Sequence, residues 1–379
     1  MDVTVGIVGI IAGIVAIIGL PVGIWFQFFR KADDQDVKIP QPSMSADERE
    51  RLVRVEAQLA ELQEKTTAPP GGSAPLETTT LAAQATEKTE RLLGEAIALQ
   101  DESREREAIE RLLTAYNMDM PQEAKAQLHL LVGNGLFRLS DYAAAQHHFV
   151  SSLEAGRAAD SKEAEANALG NLGLIYKNQG DLAKAEGHIQ EALAICRETG
   201  NHLGEASQLG NLGLIYDDQG KLTKAKDHLR QALAIFRAVG NRIGEANQLG
   251  NLGLIYRKDD ALFKAEALLS QGLAIYSEIG YRLGEAALLA NLGIIYLRQG
   301  EPLKAEEHYQ QALAIDQEIG YRLGEANQLG NLGLLAADRN DRDEACQRLK
   351  EALSIYDEIG AGGEGPELVR GKLEKMGCE

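Results

Sequence analysis

One block of sequence recurs at a constant interval through most of this chain, and this limits the fold more than any other feature. NLGLIY begins at Asn171, Asn211 and Asn251, and close variants begin at Asn291 and Asn331, so the period is 40 residues without slippage. Self-similarity at this spacing is typical of arrays in which each unit packs only on its neighbours. An array also accounts for a length of 379 residues, which exceeds what one compact core usually holds.

Each unit predicts a pair of helices. The first runs through GEAxxLGNLGLIY and the second through LxKAExHxxQALAI, both with apolar residues at helical spacing. Glycine separates the two helices at Gly180, Gly220 and Gly300, and a further row of glycines ends the second helices, where a residue with positive φ is favoured. That row is Gly200, Gly240, Gly280, Gly320 and Gly360. In one unit Asp259 and Asp260 replace the inter-helix glycine, and we expect a turn there as well. The predicted fold class is all-α.

These units resemble tetratricopeptide repeats. That pattern has a large residue, Leu-Gly and Tyr on the first helix, and Ala, a large apolar residue and Ala on the second. The second unit supplies Leu169, Leu172, Gly173, Tyr176, Ala185, Ile189 and Ala192. The 40-residue unit is similar to the Pins/LGN and kinesin light chain class, which consists of peptide-binding scaffolds.

The resemblance implies a helix-turn-helix solenoid, wound as a right-handed superhelix, over residues 81–376. Six repeats are clear, although the first, around Gly133 and Phe149, is looser than the others. A degenerate seventh repeat is expected at its N-terminal side, over residues 85–120, and a C-terminal capping helix over residues 366–376. A terminal cap with a polar face is expected in such arrays.

The N-terminal residues predict a membrane anchor. Val3–Phe26 contains 24 residues without a charge and would extend roughly 36 Å as a helix, enough to cross a hydrocarbon core of about 30 Å. A cleaved signal peptide would need a basic start and a small-residue cleavage site, whereas this chain begins Met-Asp. Arg30 and Lys31 lie on the C-terminal flank, so we expect residues 1–31 to be a single-pass anchor in the cell membrane with the solenoid in the cytoplasm.

Residues 32–80 predict a stalk. Leu52, Val55, Leu59 and Leu62 are spaced as in a coiled-coil seam on a helix over residues 46–65, and residues 66–80 have the composition of a flexible linker. The Leu52–Leu62 seam could pair with a second copy, pack on the repeats or remain alone. Gly9 and Gly13 have the G-x-x-x-G spacing of paired membrane helices, so a homodimer is possible, but glycine is also common in such helices.

Charge and cysteine content exclude several classes of protein. Thirty-nine basic against 57 acidic residues give a net charge of −18, which argues against a nucleic-acid binder and favours basic partners. Cys196, Cys346 and Cys378 lie far apart and predict no disulfide, which favours a reducing compartment. Gly360–Gly365 spells G-x-G-x-x-G, but a helix precedes it, so we interpret it as a hinge. We expect no cofactor, no metal and no enzymatic activity.

The partner-binding residues are expected on the first helices, which in this family line a concave groove. The residue before each Leu-Gly pair faces that groove, and here it forms what we call the asparagine row: Asn171, Asn211, Asn251, Asn291 and Asn331. In similar proteins this amide holds the backbone of an extended peptide, since it offers both a donor and an acceptor. Alternatively, each amide bonds the neighbouring repeat.

Two further rows flank the asparagine row. Three residues later lies an aliphatic row, and one turn earlier lies a second set of amides. They are Leu174, Leu214, Leu254, Ile294 and Leu334, and Asn167, Asn247 and Asn327. The aliphatic row either lines the groove or belongs to the core.

The predicted function is a membrane-anchored scaffold that recruits a protein or peptide; the alternative is a ligand- or peptide-responsive sensor that switches an effector.

Two regular rows have simpler interpretations. Arg242, Arg282 and Arg322 precede the GEA motif, and we expect each to pair with the glutamate three residues later rather than with an acidic partner. Histidine also recurs at one position of the second helices. Because repeats stack about 10 Å apart, these side chains are too far from one another to share a zinc ion. The row is His148, His188, His228 and His308.

Overall fold

The computed structural model describes Ile109, Leu112, Leu113 and residues 120–139 and 141–378. The predicted anchor, stalk, linker and most of the degenerate repeat lie outside these residues. Within the described part, none of the helices is both long and apolar enough to span a bilayer.

Thirteen helices are formed by the described residues, and the first twelve are six consecutive pairs, each of which is one 40-residue repeat. The helices are α1 (Gln122–Arg138), α2 (Tyr142–Ala158), α3 (Lys162–Asn178), α4 (Leu182–Glu198), α5 (His202–Asp218), α6 (Leu222–Ala238), α7 (Arg242–Lys258), α8 (Leu262–Ile279), α9 (Arg282–Gln299), α10 (Pro302–Glu318), α11 (Arg322–Asp338), α12 (Arg342–Glu358) and α13 (Glu364–Met376). Repeats 1 to 6 are numbered in this order. Helices α1–α4 form one compact unit and α5–α13 another, divided after Gly200.

Close contact between the two helices of each repeat is made at the glycine of the Leu-Gly pair. A Cβ atom added at Gly253 would lie 2.8 Å from Leu269 Cγ, and one added at Gly213 would lie 2.6 Å from Leu229 Cγ. Both leucines are fully buried. The same contact recurs in every described repeat, between Gly133 and Phe149, Gly173 and Ile189, Gly293 and Tyr309, and Gly333 and Leu349.

The predicted turns are confirmed. Each glycine expected between or after helices has a positive φ, as at Gly180 (81°) and Gly200 (69°). Asp260 adopts the same left-handed conformation at φ 56°, which agrees with a turn at Asp259-Asp260. This conformation costs a residue with a Cβ more than glycine, so the repeat tolerates some strain there.

The expected arginine pairs are also confirmed, and each arginine has a second partner. Arg242 donates to Glu245 on its own helix and to Glu278 at the end of α8, at 2.6 Å in both cases. Arg282 and Arg322 repeat this bridge in the next two repeats. Each arginine therefore connects the start of a first helix to the end of the second helix in the same repeat.

The last repeat is covered by α13, which begins at Glu364, two residues before the predicted capping helix. Val369 and Leu373 are buried against a cluster that includes Leu349 and Tyr356. Cys346 on α12 and Cys378 after α13 form a disulfide, with 5.6 Å between their Cα atoms. The prediction of no disulfide is therefore wrong for this pair. Their separation of 32 residues gave no sign of contact, because only the return of α13 onto repeat 6 brings them together.

The substitution Gly253→Ala tests the contact within a repeat. We expect it to lower the free energy of unfolding by about 1–3 kcal/mol, because the new methyl group would displace Leu269 in a closely packed core. Gly187→Ala on α4 is the matched control, since nothing lies within 4 Å of its added Cβ. That change should raise stability by up to about 1 kcal/mol through helix propensity. Urea unfolding followed by circular dichroism measures both, and equal stability of the two variants would contradict this packing.

Cys378→Ser tests the disulfide. We expect the variant to unfold with a free energy about 2–4 kcal/mol lower than the oxidised parent, as is usual when a closed loop of this size is opened. The difference should disappear when both proteins are measured with excess dithiol. Ready alkylation of Cys346 and Cys378 in the unreduced, denatured parent would show that the bond does not form.

Candidate functional site

The asparagine row lies on the first helices, and its side chains are partly or fully buried. Asn251 and Asn291 are 2% exposed, whereas the remaining three are half-buried. Asn171 donates to the Oδ1 atom of Asn134 on α1 at 3.2 Å. Asn291 donates to the carbonyl oxygen of Ala287 on its own helix at 3.0 Å.

A row of glutamines, which sequence reasoning missed, supports the asparagine row from one turn earlier. Asn211 donates to Gln208 Oε1 at 3.2 Å, and Asn331 donates to Gln328 Oε1 at 3.4 Å. In each of these bonds the amide NH₂ group of asparagine is the donor. At four of the five asparagines, the interactions within the array therefore use the donor of the amide and not its carbonyl oxygen. The signal that could have shown the row is the repeated QLGN block.

Repeat 4 contains two amide oxygens whose hydrogen-bonding capacity is unused. Gln248 packs on the backbone of α5, where a Cβ added at Gly210 would lie 3.1 Å from its amide. Gln248 Oε1 and Asn251 Oδ1 are both buried and accept no hydrogen bond within the described part of the chain. A buried acceptor without a donor is costly, and these two oxygens in repeat 4 carry that cost.

The second set of amides is fixed by tyrosines of the second helices. Tyr276 donates its hydroxyl to Asn247 Oδ1, and Tyr356 donates to Asn327 Oδ1 at 2.7 Å. In repeat 2 the position of these tyrosines is taken by Cys196, so Asn167 faces no hydroxyl there. The amides at Asn247 and Asn327 thus connect the first helix of a repeat to its second helix.

The aliphatic row varies along the chain in how far it is buried. Leu214 and Leu254 are buried, at 5% and 3% exposed, while Leu174, Ile294 and Leu334 are half-buried. Leu334 also packs on the cluster beneath the C-terminal helix. The row therefore belongs to the core at Leu214 and Leu254 and is partly exposed at the other three repeats.

The recurrent histidines have an aromatic partner. Three of them contact a tyrosine of their own repeat, with ring centroids 4.8–5.2 Å apart: His188 stacks on Tyr176, whereas His228 and His308 lie tilted against Tyr216 and Tyr296. A lysine lies over the same tyrosine rings, as Lys184 does over Tyr176 at 5.2 Å. His148 instead lies beside His129, with 2.9 Å between their Nδ1 atoms. Ring contact with a tyrosine of the same repeat accounts for the recurrence of three of these histidines at one position of the second helices.

Repeat 5 lacks the tyrosine–asparagine pair and has a buried carboxylate in its place. Asp316 occupies the position of Tyr276 and Tyr356, and Ala287 that of Asn247 and Asn327. Asp316 is fully buried; it accepts one bond from Gln328 at 3.3 Å, while its Oδ1 atom has no partner among the described residues. Burial raises the pKa of Asp316 to about 7.

Comparison with known families assigns the array. Residues 122–198, 164–238 and 245–318 match a tetratricopeptide repeat model, and residues 326–359 match a second model of the same repeat. The first model alone covers just over half of the 379 residues. The chain belongs to the tetratricopeptide repeat family. The described residues from Gln122 onward are thus an all-α array of such repeats, as predicted.

Two solved Rap structures show the same fold at low sequence identity. A Rap protein complexed with Competence and Sporulation Factor superimposes with a TM-score of 0.57 at 15% identity, over 87% of this chain and 95% of that one. The apo form of RapI gives a TM-score of 0.55 at 13% identity, over 72% and 99%. A putative kinesin light chain from Podosopora anserina reaches 0.43 at 19% identity, over 51% and 95%. No curated protein sequence matches the chain significantly.

Asp316→Asn tests the buried carboxylate through its pH dependence. The pKa of Asp316 rises from 3.8 in the unfolded chain to about 7 in the folded one, so its contribution to stability is complete below pH 3.8 and is lost as the pH rises through 7. We therefore expect the asparagine variant to exceed the parent in stability at pH 8, by up to about 4 kcal/mol, and to lose more than half of this advantage at pH 5. Urea unfolding at both pH values measures this.

The control for this test is Asp227→Asn, which alters an exposed carboxylate on α6. Its difference from the parent should be the same at pH 5 and pH 8. A second variant, Asp316→Tyr combined with Ala287→Asn, restores the pair found in the flanking repeats and should be stabilised at both pH values. An unchanged pH profile in Asp316→Asn would rule out a buried, ionising Asp316.

Proposed function

We propose that this chain is a scaffold that binds an extended protein or peptide segment along the first helices of its repeats. The observation that carries the proposal is the asparagine row together with the two unused acceptors in repeat 4. An extended segment presents backbone N–H groups at regular intervals, and Gln248 Oε1 and Asn251 Oδ1 are acceptors that lack donors among the described residues. Binding in which these two buried side chains rotate toward the segment would satisfy groups that the array alone does not satisfy.

The hydrogen bonds of the asparagine row also indicate that its carbonyl oxygens act as acceptors for a partner. Within the array, NH₂ groups donate hydrogen bonds to other groups of the chain at Asn211, Asn291 and Asn331. Their side-chain carbonyl oxygens therefore remain for a partner. Half-buried aliphatic side chains such as Ile294 and Leu334 add apolar contact beside them. A polar row next to an aliphatic row suits a peptide whose alternate side chains differ in polarity.

The shared fold is consistent with this function. The Rap protein that superimposes on this chain was solved in a complex with Competence and Sporulation Factor, so an array of this architecture does hold a partner. By analogy, we infer that this chain acts by binding rather than by catalysis. At 13–15% identity, the nature of its partner has to be determined on this chain itself.

Membrane recruitment is the second part of the proposal. Val3–Phe26 has the length and composition of a membrane-spanning helix, and it precedes the array in the same chain. An anchor of this kind confines the bound partner to the cytoplasmic face of the cell membrane and raises the local concentration of partners held there. Paired anchors, through Gly9 and Gly13 or the Leu52–Leu62 seam, would increase this effect by joining two arrays.

The test is capture of partners by the full chain in mild detergent, compared with a variant carrying Asn211→Ala, Asn251→Ala and Asn331→Ala. We expect the variant to lose at least about tenfold in affinity for a partner that the parent retains, since each amide contributes roughly 1 kcal/mol. The matched control carries Gln231→Ala, Gln271→Ala and Gln311→Ala, three exposed residues at one position of the second helices. It should bind as the parent does.

Two outcomes would count against the proposal. If the asparagine variant keeps its helicity and thermal midpoint and still binds normally, the partner does not use these first helices. If removal of residues 3–26 leaves the partner in the membrane fraction of the same cells, the anchor does not provide recruitment. Binding and localisation are thus tested separately.

A further inference from the structure

Residues near the ends of successive first helices meet at two junctions between repeats, the one between repeats 3 and 4 and the one between repeats 4 and 5. Between repeats 3 and 4, Lys258 of α7 donates to Asp217 of α5, with 2.7 Å between Nζ and Oδ2. The Asp217 side chain is 1% exposed. A buried carboxylate at this junction is thus neutralised by a cation 41 residues later in the chain.

The same two positions in the next junction hold two cations. Between repeats 4 and 5 they are Arg257 and Arg298, which are again 41 residues apart. Arg298 donates to the backbone carbonyl oxygen of Arg257 at 2.9 Å, and its second amino group donates to the exposed Asp260 at 3.2 Å. The guanidinium group of Arg257 makes no hydrogen bond or ion pair with any residue between Met120 and Cys378 that the structure describes.

The residue that carries this unpaired guanidinium group is largely buried. Arg257 is 9% exposed, and burial, together with the adjacent Arg298, lowers its pKa. The negative charge of Asp217 raises the pKa of Arg257, but the carboxylate of Asp217 is already bonded to Lys258. An isolated buried cation is costly, and a counter-ion that reaches it removes much of that cost.

A tyrosine adds a donor at the same place. Tyr309 on α10 occupies the position held by Ile189, Leu229, Leu269 and Leu349 in other repeats. It is 1% exposed and interacts electrostatically with Arg257. Burial raises the pKa of Tyr309, so the phenol keeps its proton and can donate it in a hydrogen bond. No described residue accepts a hydrogen bond from this hydroxyl.

We propose that Arg257, Tyr309 and Arg298 form a binding site for an oxyanion, a carboxylate or phosphate group, at the place where the preceding junction has the carboxylate of Asp217. A guanidinium group presents a planar pair of donors that fits either oxyanion, and the hydroxyl of Tyr309 supplies a third donor. The ligand is an acidic side chain of a bound chain segment or a free small anion. The site is thus cationic within a chain of net charge −18, which alone suggested a basic partner.

The first experiment measures thermal unfolding of the full chain in detergent with sodium phosphate, sodium glutarate or sodium chloride at equal ionic strength. Near-saturating phosphate or glutarate should raise the unfolding midpoint by about 2–4 °C beyond chloride, because a ligand that binds only the folded state stabilises it. Equal midpoints in all three salts would overturn the proposal. This readout needs no knowledge of the partner, so it can fail or succeed independently of the proposed function.

Variants locate the site. Arg257→Asp would recreate an aspartate–cation pair with Arg298, so we expect a higher midpoint in chloride and no further response to oxyanions. If that variant does not fold, Arg257→Gln should fold and lack the response. Tyr309→Phe should weaken the apparent affinity about fivefold, and Arg370→Gln, an exposed change on α13, should respond as the parent does. A normal oxyanion response in Arg257→Asp or Arg257→Gln would overturn the assignment.

The source of the oxyanion is distinguished by a hexaglutamate peptide. Binding that is at least about tenfold tighter than that of glutarate, and is lost in the Arg257 variant, identifies an acidic chain segment as the ligand. Phosphate or glutarate binding as tight as that of hexaglutamate identifies a free small anion. Both results support the site, whereas hexaglutamate binding that is equal in the parent and the Arg257 variant contradicts it.

Discussion

The close contact between glycine on the first helix and a large apolar side chain on the second is the constraint on which the array depends. At this spacing, 2.5–2.8 Å from an added Cβ to the facing side chain, even a methyl group has to displace its neighbour. Because the contact recurs in every described repeat, it fixes the rotation of each first helix about its own axis. That rotation in turn decides which residues face the second helix, which meet the next repeat and which remain for a partner. The placement of the asparagine row and of the junction residues on the first helices therefore depends on this contact.

The sequence was sufficient for the elements in which each repeat obeys the same local rule. Interactions within about 40 residues determine the helix pairs, the turns and the Arg242–Glu245 bridge. Because the same sequence pattern recurs in several repeats, it predicts these elements more strongly than a single occurrence would. The disulfide was missed because it depends on how α13 folds back onto repeat 6, which occurs only once in the chain. The glutamine row was missed for a different reason: QLGN repeats so regularly that it read as part of the helix consensus. Its role becomes visible only when Gln208 is seen to accept from Asn211.

The informative positions are those at which one repeat departs from the others. Asp316 lies where the flanking repeats have tyrosine, and Tyr309 lies where four other repeats have an aliphatic residue. Arg257 lies at a position that differs in every described repeat and is an aspartate in the preceding one. A repeat array can carry such exceptions because each unit contacts only its neighbours, so a local cost does not spread through the whole domain. All three exceptions lie in repeats 4 and 5. The asparagine row gives repeats 2 to 6 the same side chain for contacts with a backbone, whereas these exceptions give repeats 4 and 5 a chemistry of their own.

This division suggests how a regular array acquires specificity. In the proposed complex, backbone contacts from the asparagine row would hold any extended segment in register without depending on its sequence, since every residue except proline presents the same N–H group. Discrimination then requires side-chain recognition at a few places, and a buried guanidinium without a partner is suited to that role. This group would raise the affinity most for a segment that brings an anion to repeats 4 and 5. It would lower the affinity for a segment that brings an apolar or basic side chain there. Affinity and specificity would thus lie in different residues of the same helices.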